Sequence, residues 1–310
     1  MDRFDRVGRL AAYGAALAMT PYTLIKVSWV VGAVAGLLPI GEGFGLAGWV
    51  VLNVVTICMA AIGIVMALAL VRPWGMRIPG PLVAFVAWVG TGFLVPILPY
   101  ALLDSLLGLS SSGRGHQDGD GAAMPGWEAA LIQISFVGMG LGLALALPAY
   151  LRRRWPDAFT GRVSERHEGS TRRVMWAVGA GAMIGAVWLY WAFGGTAGVE
   201  HPADQHAGER LLTGIWGLWA LIASVATWVV SRGRPARLAR WIPLTLGWLG
   251  TGSLFTWSGW KLPVTLYVAL AHPAGVSLPD NLALAAALYA AAVVTSAVML
   301  SALVREVGRA

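Results

Sequence analysis

Long apolar runs are the feature that most constrains how this chain folds. Eight stretches, each about 20 residues or more, are long enough to cross a hydrocarbon core about 30 Å thick as helices. They lie at about 12–39, 44–71, 81–107, 127–151, 174–199, 211–230, 241–270 and 282–304. Only 12% of the 310 residues are charged, whereas a soluble domain carries about 25%. The sequence therefore predicts an all-α integral membrane protein with eight transmembrane helices.

Basic residues fall mainly on one predicted side of the membrane. Most of the 22 Lys and Arg residues lie at the two termini and in the loops that follow the second, fourth and sixth runs. By the positive-inside rule, these loops and both termini are cytoplasmic. The same rule accounts for the pI of about 10.1. We therefore expect the protein to be surrounded by the lipid bilayer and to bind no nucleic acid. The Arg, Ala and Gly bias is typical of a high-GC bacterium, which predicts a bacterial cytoplasmic membrane.

The chain also repeats itself. Two motifs recur, WVGTGFL at 88–94 as WLGTGSL at 248–254, and WVVGAVAG at 29–36 as WAFGGTAG at 191–198. The matches predict a first four-helix repeat at 1–151, a basic cytoplasmic linker at 152–173 and a second four-helix repeat at 174–310. Because each repeat has an even number of spans, both enter the membrane from the same side and are parallel. The interface between the repeats is then the natural place for a site.

One lysine lies inside an apolar run, in PYTLIKVSWVVG. A charge near the bilayer centre costs about 3 kcal/mol on insertion scales, and such residues normally face the protein interior. Tyr22 and Trp29 stand at i−4 and i+3 from Lys26, on the same helix face. Their rings can stabilise the ammonium, which predicts a ligand-binding set. The alternative is that Lys26 extends toward the membrane surface and serves no ligand.

Glycine and tryptophan are both abundant, with 40 and 16 residues. The pairs Gly32–Gly36 and Gly90–Gly92 predict close contacts between helices. Most tryptophans fall near predicted span ends, where an aromatic belt accounts for them. Trp188, at the position equivalent to Lys26, and Trp191 lie inside a span and complete the predicted ligand-binding set. They either pack in the core or line a site for a flat aromatic or isoprenoid ligand.

Two further groups of residues suggest chemistry on the outer side. Polar residues at the predicted outer helix ends are Asp104, Glu128, Gln133, Glu200 and Lys261. Carboxylates at Asp104, Glu128 and Glu200 are candidates for general acid and base, or are ordinary boundary residues. Loop residues that can ligate Zn or Cu are His201, Asp204 and His206, with His116 from another loop. The alternative to a metal site is a solvated acidic surface. No other cofactor is predicted.

The stretch WLYWAFGGTAG at 188–198 resembles a motif, roughly Y-W-A-x-G-G, of small bacterial membrane proteins grouped as the DUF3995 family. Five residues match it, namely Tyr190, Trp191, Ala192, Gly194 and Gly195. Proteins of this family have four spans and no known function. The resemblance covers at most the second half, about 174–304, and implies a four-helix unit without implying an activity. The first half departs from the motif, with IKVSWVVGA in its place.

Three functions are compatible with these features. The favoured hypothesis is binding or translocation of a small anionic or lipophilic solute in a cavity between the two repeats near Lys26. It is supported by the interior charge, by parallel repeats, and by helix breaks predicted at Pro96, Pro99 and the stretch WSGWKLP. The second is an accessory subunit that docks a membrane protein partner. The third is a membrane enzyme that acts on a lipid or isoprenoid substrate at the outer leaflet.

Overall fold

Long helices account for almost all of the structure. The computed structural model describes residues 3–40, 45–107, 126–154, 160–163, 172–199, 206–271 and 281–308. Within these ranges the helices are α1 (Arg3–Val34), α2 (Leu46–Ala69), α3 (Gly80–Leu107), α4 (Gly126–Arg154), α5 (Arg172–Ala192), α6 (Ala207–Arg232), α7 (Trp241–Ala271) and α8 (Leu282–Gly308). A 3₁₀ turn occupies Pro73–Met76, and Arg162 pairs with Ala239 in an isolated β-bridge. The predicted all-α class is confirmed for the described residues.

Seven of these helices are long and apolar enough to cross a membrane. The protein is therefore a multi-pass α-helical membrane protein. The exception is α7, which has 31 residues but carries many polar side chains. Its buried hydroxyl residues are Thr251, Ser253, Thr256, Ser258 and Thr265. Since these groups lower the hydropathy of α7, its membrane crossing, and with it the count of eight spans, stays a prediction.

The helices group into two compact units. Unit 1 comprises Met1–Ala87 and Ser110–Arg154, and unit 2 comprises Trp88–Leu109 and Trp155–Ala310. Unit 1 thus contains α1, α2, α4 and the start of α3, while unit 2 contains the rest of α3 and α5 to α8. This grouping is spatial and does not measure sequence homology. The division into two homologous repeats joined by a linker stays a prediction.

In unit 1, α1 packs against both α2 and α4. The α1–α4 contact is made by small side chains. A Cβ added to Gly138 would lie 2.5 Å from the Cβ of Ala18, and one added to Gly142 would lie 2.6 Å from the Cβ of Ala15. Such close backbones are typical of membrane helices, where glycine and alanine allow extensive van der Waals contact.

In unit 2, α5 and α7 each pack against both α6 and α8. The backbones of α5 and α6 meet at two glycines. A Cβ added to Gly185 would lie 2.9 Å from the carbonyl oxygen of Gly217, and one added to Gly217 would lie 2.8 Å from that of Gly185. Any side chain at either position would push the helices apart.

The two copies of the W-x-G-T-G motif meet inside unit 2. Gly92 of α3 lies directly against the backbone of Gly252 of α7. The indole Nε1 of Trp88 donates a hydrogen bond of 3.2 Å to the hydroxyl of Thr251. The close helix contact predicted from Gly90–Gly92 is therefore confirmed at Gly92, whereas Gly90 has open space around it.

Two sequence predictions about backbone geometry are wrong. Gly36 ends α1 instead of packing against another helix. It has a φ of +69°, and the next amide, that of Leu37, donates to the carbonyl of Gly32 at 2.8 Å. This is a Schellman C-cap, which favours glycine because its φ is positive. The predicted breaks are also absent, since α3 runs through Pro96 and Pro99 and α7 runs through Pro263, as prolines in membrane helices often permit.

Candidate functional site

Lys26 is buried in unit 1. Its side chain is 8% exposed, and it lies two turns before the end of α1, about 12 Å along the helix axis. The ammonium nitrogen is 4.1 Å from the centre of the Trp29 ring and 5.9 Å from that of Tyr22. The contacts predicted from the i−4 and i+3 spacing are confirmed. Protein covers most of Lys26, while a ligand-binding role and extension toward the membrane surface both stay predictions.

The rings around Lys26 connect α1 to both of its neighbours. Trp29 stacks on Trp49 of α2, with ring centres 6.0 Å apart and planes at 21°. Its indole Nε1 donates a hydrogen bond of 3.2 Å to the Glu128 carboxylate of α4. Glu128 lies in the first turn of α4, where the helix dipole favours a negative charge. We call Tyr22, Lys26, Trp29, Trp49 and Glu128 the Lys26 cluster.

Charges of both signs make the Lys26 cluster electrostatically distinctive. Burial of an ammonium at bilayer depth costs about 3 kcal/mol, and each cation–π contact returns about 0.5–2 kcal/mol. The two contacts together return about 1–4 kcal/mol, which is comparable to this cost. The Glu128 carboxylate, held at the edge of the same indole, brings negative charge into the cluster. The arrangement suits recognition of an anion that uses the ammonium and the Trp29 N–H.

Trp188 and Trp191 belong to unit 2, where both are buried. The indole Nε1 of Trp191 donates to the carbonyl of Ala197 at 2.8 Å. In the same turn, Gly194 has a φ of +93°, and the Gly195 amide donates to the carbonyl of Tyr190 at 2.9 Å. Residues of the Y-W-A-x-G-G stretch thus form the cap that ends α5. A ligand-binding role for Trp191 stays a prediction beside this structural one.

Trp188 packs near a tryptophan, Trp216, that contacts a second lysine, Lys261. Its ring lies 6.4 Å from that of Trp216 on α6, and the ammonium of Lys261 lies 4.2 Å from the centre of the Trp216 ring. Tyr289 of α8 is 5.7 Å from the same ammonium, and Trp257 of α7 packs 5.1 Å from Trp216. We call Trp188, Trp216, Trp257, Lys261 and Tyr289 the Lys261 cluster.

The sequence predicts that Lys261 lies at an outer helix end and does not connect it with aromatic residues. One local signal was present, because Trp257 precedes Lys261 by four residues and so lies on the same face of α7. The ring that the ammonium contacts most closely, that of Trp216, comes from another helix. No spacing rule connects residues so far apart in sequence, so this contact required the structure.

The structure describes only some of the candidate acid–base and metal residues, and a catalytic role for them stays a prediction. Asp104 belongs to unit 2 and Glu128 to unit 1, where Glu128 accepts the Trp29 hydrogen bond. The exposed His206 is the N-cap residue that precedes α6, and its backbone amide donates to the Glu209 carboxylate at 3.3 Å. The residues outside the described ranges are Glu200, His116, His201 and Asp204. Within those ranges, no group of three or more His, Cys, Asp or Glu residues is placed to hold a metal, and an outer Zn or Cu site stays a prediction.

The fold defines a class, a multi-pass α-helical membrane protein in which two lysine ammonium groups lie against the faces of tryptophan rings. No protein-family model, curated protein or solved structure matches the chain. The resemblance of the second half to the DUF3995 family therefore stays a prediction.

Proposed function

We propose that this chain is a bacterial cytoplasmic-membrane protein, with both termini in the cytoplasm, that binds or translocates a small anionic or lipophilic solute at the Lys26 cluster. One observation carries the proposal. The ammonium of Lys26 is buried within an apolar membrane-length helix, 4.1 Å from an indole ring. An ionisable residue inside a membrane segment is by default a functional candidate, because its burial is costly and a hydrophobic residue would pack more favourably.

The Lys26 cluster also allows a solute anion to take the place of the Glu128 carboxylate. The Trp29 N–H is engaged by Glu128, which acts as a built-in anion. An incoming carboxylate or phosphate can replace Glu128 at this N–H while it neutralises the ammonium. The stacked faces of Trp29 and Trp49 offer a flat apolar surface to the rest of the solute. The solute and Glu128 would thus compete for the same N–H. After the solute leaves, Glu128 would again supply the negative charge near the Lys26 ammonium.

The test is a flux measurement in proteoliposomes. The probes are benzoate, which is both anionic and lipophilic, acetate and inorganic phosphate. We expect the wild type to transport or bind at least one probe and Lys26→Met to lose that activity. The matched control is Leu24→Met, because Leu24 is on the same helix and 63% exposed. Lys26→Arg should keep part of the activity, since it keeps the charge.

Unaltered flux or binding in Lys26→Met would remove Lys26 from the mechanism. Loss of activity in Leu24→Met as well would show that the Met substitution acts through the helix and not through the charge. A wild type that neither binds nor transports any of the three probes would contradict the proposal for this class of solute.

A further inference from the structure

We propose that one end of unit 1 binds the phosphate headgroup of an anionic lipid. The site lies where the connection between α2 and α3 meets the start of α1 and the end of α4. Its central residues, which we call the arginine patch, are Arg72, Arg77, Arg153 and Arg154. The proposal does not depend on the function proposed for Lys26.

The arginine patch lies where the chain leaves the membrane. Residues 70–79 join α2 to α3, and both helices, like α4, are long and apolar enough to cross a membrane. The 3₁₀ turn Pro73–Met76 lies at the centre of this connection. Phospholipid headgroups occupy the same level, between the hydrocarbon core and water. The connection is therefore placed to meet headgroups.

Hydrogen bonds bring two arginines of α4 to this connection. Arg153 donates a hydrogen bond of 2.7 Å to the carbonyl of Leu70. Arg154 donates to two further carbonyls of the connection, at 2.9 and 3.2 Å. Arg72 and Arg77 flank the 3₁₀ turn as its N-cap and C-cap residues. Four arginines from two parts of the sequence thus meet along one short stretch of backbone.

The start of α1 lies beside the same connection. A Cβ added to Gly8 would lie 2.5 Å from the Cβ of Ala149, so α1 begins directly against the end of α4. The guanidinium carbon of Arg72 lies 5.5 Å from the centre of the Tyr13 ring of α1. Contacts within unit 1 therefore hold the first turns of α1, the connection and the end of α4 together.

The charge of these three segments selects an anion. Residues 3–9, 70–78 and 149–154 contain eight arginines and one acidic residue, Asp5. A carboxylate that pairs with one of the arginines leaves most of the positive charge in place. Arginine matches phosphate oxygens with paired N–H groups, which makes it well suited to a phosphate headgroup.

Exposed apolar side chains beside the arginines favour a lipid over a free anion. Trp74 is 38% exposed and Met76 is 47% exposed, and both lie in the 3₁₀ turn between Arg72 and Arg77. Tryptophan is enriched at the level of the headgroups because its ring is amphipathic. A free phosphate would use the arginines alone, whereas a lipid uses the arginines and the apolar side chains together.

The experiment counts the lipid molecules that bind to the full-length protein, by native mass spectrometry in a neutral detergent. Phosphatidylglycerol and phosphatidylcholine with the same acyl chains are titrated separately. We expect the first phosphatidylglycerol to bind with an apparent Kd at least about tenfold lower than that of phosphatidylcholine, because each nearby basic residue strengthens binding about fivefold. An equal concentration of ammonium phosphate should not displace the bound lipid.

Matched substitutions locate the site. The double variant Arg72→Gln, Arg77→Gln should weaken phosphatidylglycerol binding by about tenfold or more, and Lys at both positions should keep most of the affinity, since lysine keeps the charge. The control is Arg232→Gln, Arg237→Gln, which removes the same charge, at the same spacing, from exposed residues of unit 2. If the first double variant fails to fold, Arg77→Gln alone provides the test, because Arg77 is exposed, and its expected loss is about fivefold.

The outcomes separate a site from diffuse attraction. A saturable first phosphatidylglycerol that is weakened by the substitutions in the arginine patch, and not by the control pair, supports the proposal. A loss in the control pair as large as that in the patch would indicate attraction to basic residues in general and would overturn it. Equal binding of the two lipids, or displacement of phosphatidylglycerol by phosphate, would overturn it as well.

Discussion

In both units a lysine ammonium lies on the face of a tryptophan, at 4.1 Å in the Lys26 cluster and 4.2 Å in the Lys261 cluster. The two clusters differ in what the indole N–H meets. That of Trp29 donates to Glu128, whereas that of Trp216 has no acceptor within the described ranges. The same cation–π contact therefore occurs once on an indole whose N–H donates to a carboxylate and once on an indole whose N–H has no acceptor among the described residues. This difference predicts that matched substitutions in the two clusters change stability in opposite directions.

The clusters are also built differently along the chain. Lys26 and Trp29 lie on one helix, so the contact forms with the helix itself. Lys261 and Trp216 lie on α7 and α6, so their contact requires unit 2 to be folded. In the predicted repeat alignment, Trp188 occupies the position of Lys26, and a ring there packs against Trp216. On that predicted alignment, unit 2 has an aromatic side chain at the position of the Lys26 ammonium, and its own ammonium lies on α7.

The largest effect is expected from Trp188→Ala, which removes a ring that is 3% exposed. Substitutions of buried Trp by Ala cost about 3–5 kcal/mol, because a cavity replaces the ring. The free energy of unfolding can be measured by SDS titration in mixed micelles. Trp176→Ala is the control on the same helix, since Trp176 is 70% exposed and should change stability by only about 0.5 kcal/mol. Equal losses in the two variants would mean that the ring of Trp188 is not part of a packed core.

A smaller loss is expected from Gly92→Leu, which tests whether α3 holds α7, the helix that carries Lys261. A side chain at Gly92 would collide with the backbone of Gly252, and such overpacking costs about 1–3 kcal/mol. Gly90→Leu is the matched control, because Gly90 has nothing within 4 Å of an added Cβ. SDS-driven unfolding of the two variants should separate them. If Gly90→Leu is the more destabilised, the α3–α7 crossing described here is wrong.

The helices themselves were largely predictable from the sequence. The predicted end of the third run, residue 107, and the predicted starts of the last two, at 241 and 282, match the bounds of α3, α7 and α8. The predicted start of the first helix was wrong. The apolar run begins at about residue 12, whereas α1 begins at Arg3. Hydropathy marks the part of a helix that suits lipid, and a helix can continue into water beyond it.

The sites were predictable only where they are local. The spacing of Tyr22, Lys26 and Trp29 follows from the helix period, and the structure confirms their contacts. Glu128 was named as an acid–base candidate, but nothing in the sequence places it beside Trp29, because their contact joins two helices far apart in the chain. The Lys261–Trp216 contact could not be predicted for the same reason, since it joins α7 to α6. Helix–helix register depends on the close fit of small residues, which composition alone does not specify.

The sharpest test of the comparison is the pair Trp29→Phe and Trp216→Phe. Phenylalanine keeps an aromatic ring and removes the N–H. At Trp29 the change removes a hydrogen bond to a carboxylate, which typically contributes about 1.5–3 kcal/mol, and we expect a loss of about 1–2 kcal/mol because Trp29 is only partly buried. At Trp216 it removes a buried donor without an acceptor in the described residues, so stability should be unchanged or rise.

Both variants are to be measured in the same neutral detergent. Glu128→Gln provides the control for the first member of the pair. It keeps an acceptor oxygen for Trp29 but removes the charge, and it should cost less than Trp29→Phe. A loss at Trp216 as large as that at Trp29 would show that the Trp216 N–H does have a partner, and the difference between the clusters would disappear.

The smallest effect, about 1 kcal/mol, extends the same rule to hydroxyl groups. Thr251 accepts the hydrogen bond of Trp88, whereas the hydroxyl of Thr227 has no partner in the described structure; both residues are 0% exposed. Thr→Val replaces the hydroxyl by a methyl group of similar size, so Thr251→Val should lose about 1 kcal/mol and Thr227→Val should lose nothing or gain. A double-mutant cycle with Trp88→Phe assigns the Thr251 loss to that bond, because the coupling should then account for most of it. Equal losses at the two threonines would show that packing, and not the hydrogen-bond partner, decides what a buried polar group contributes in this unit.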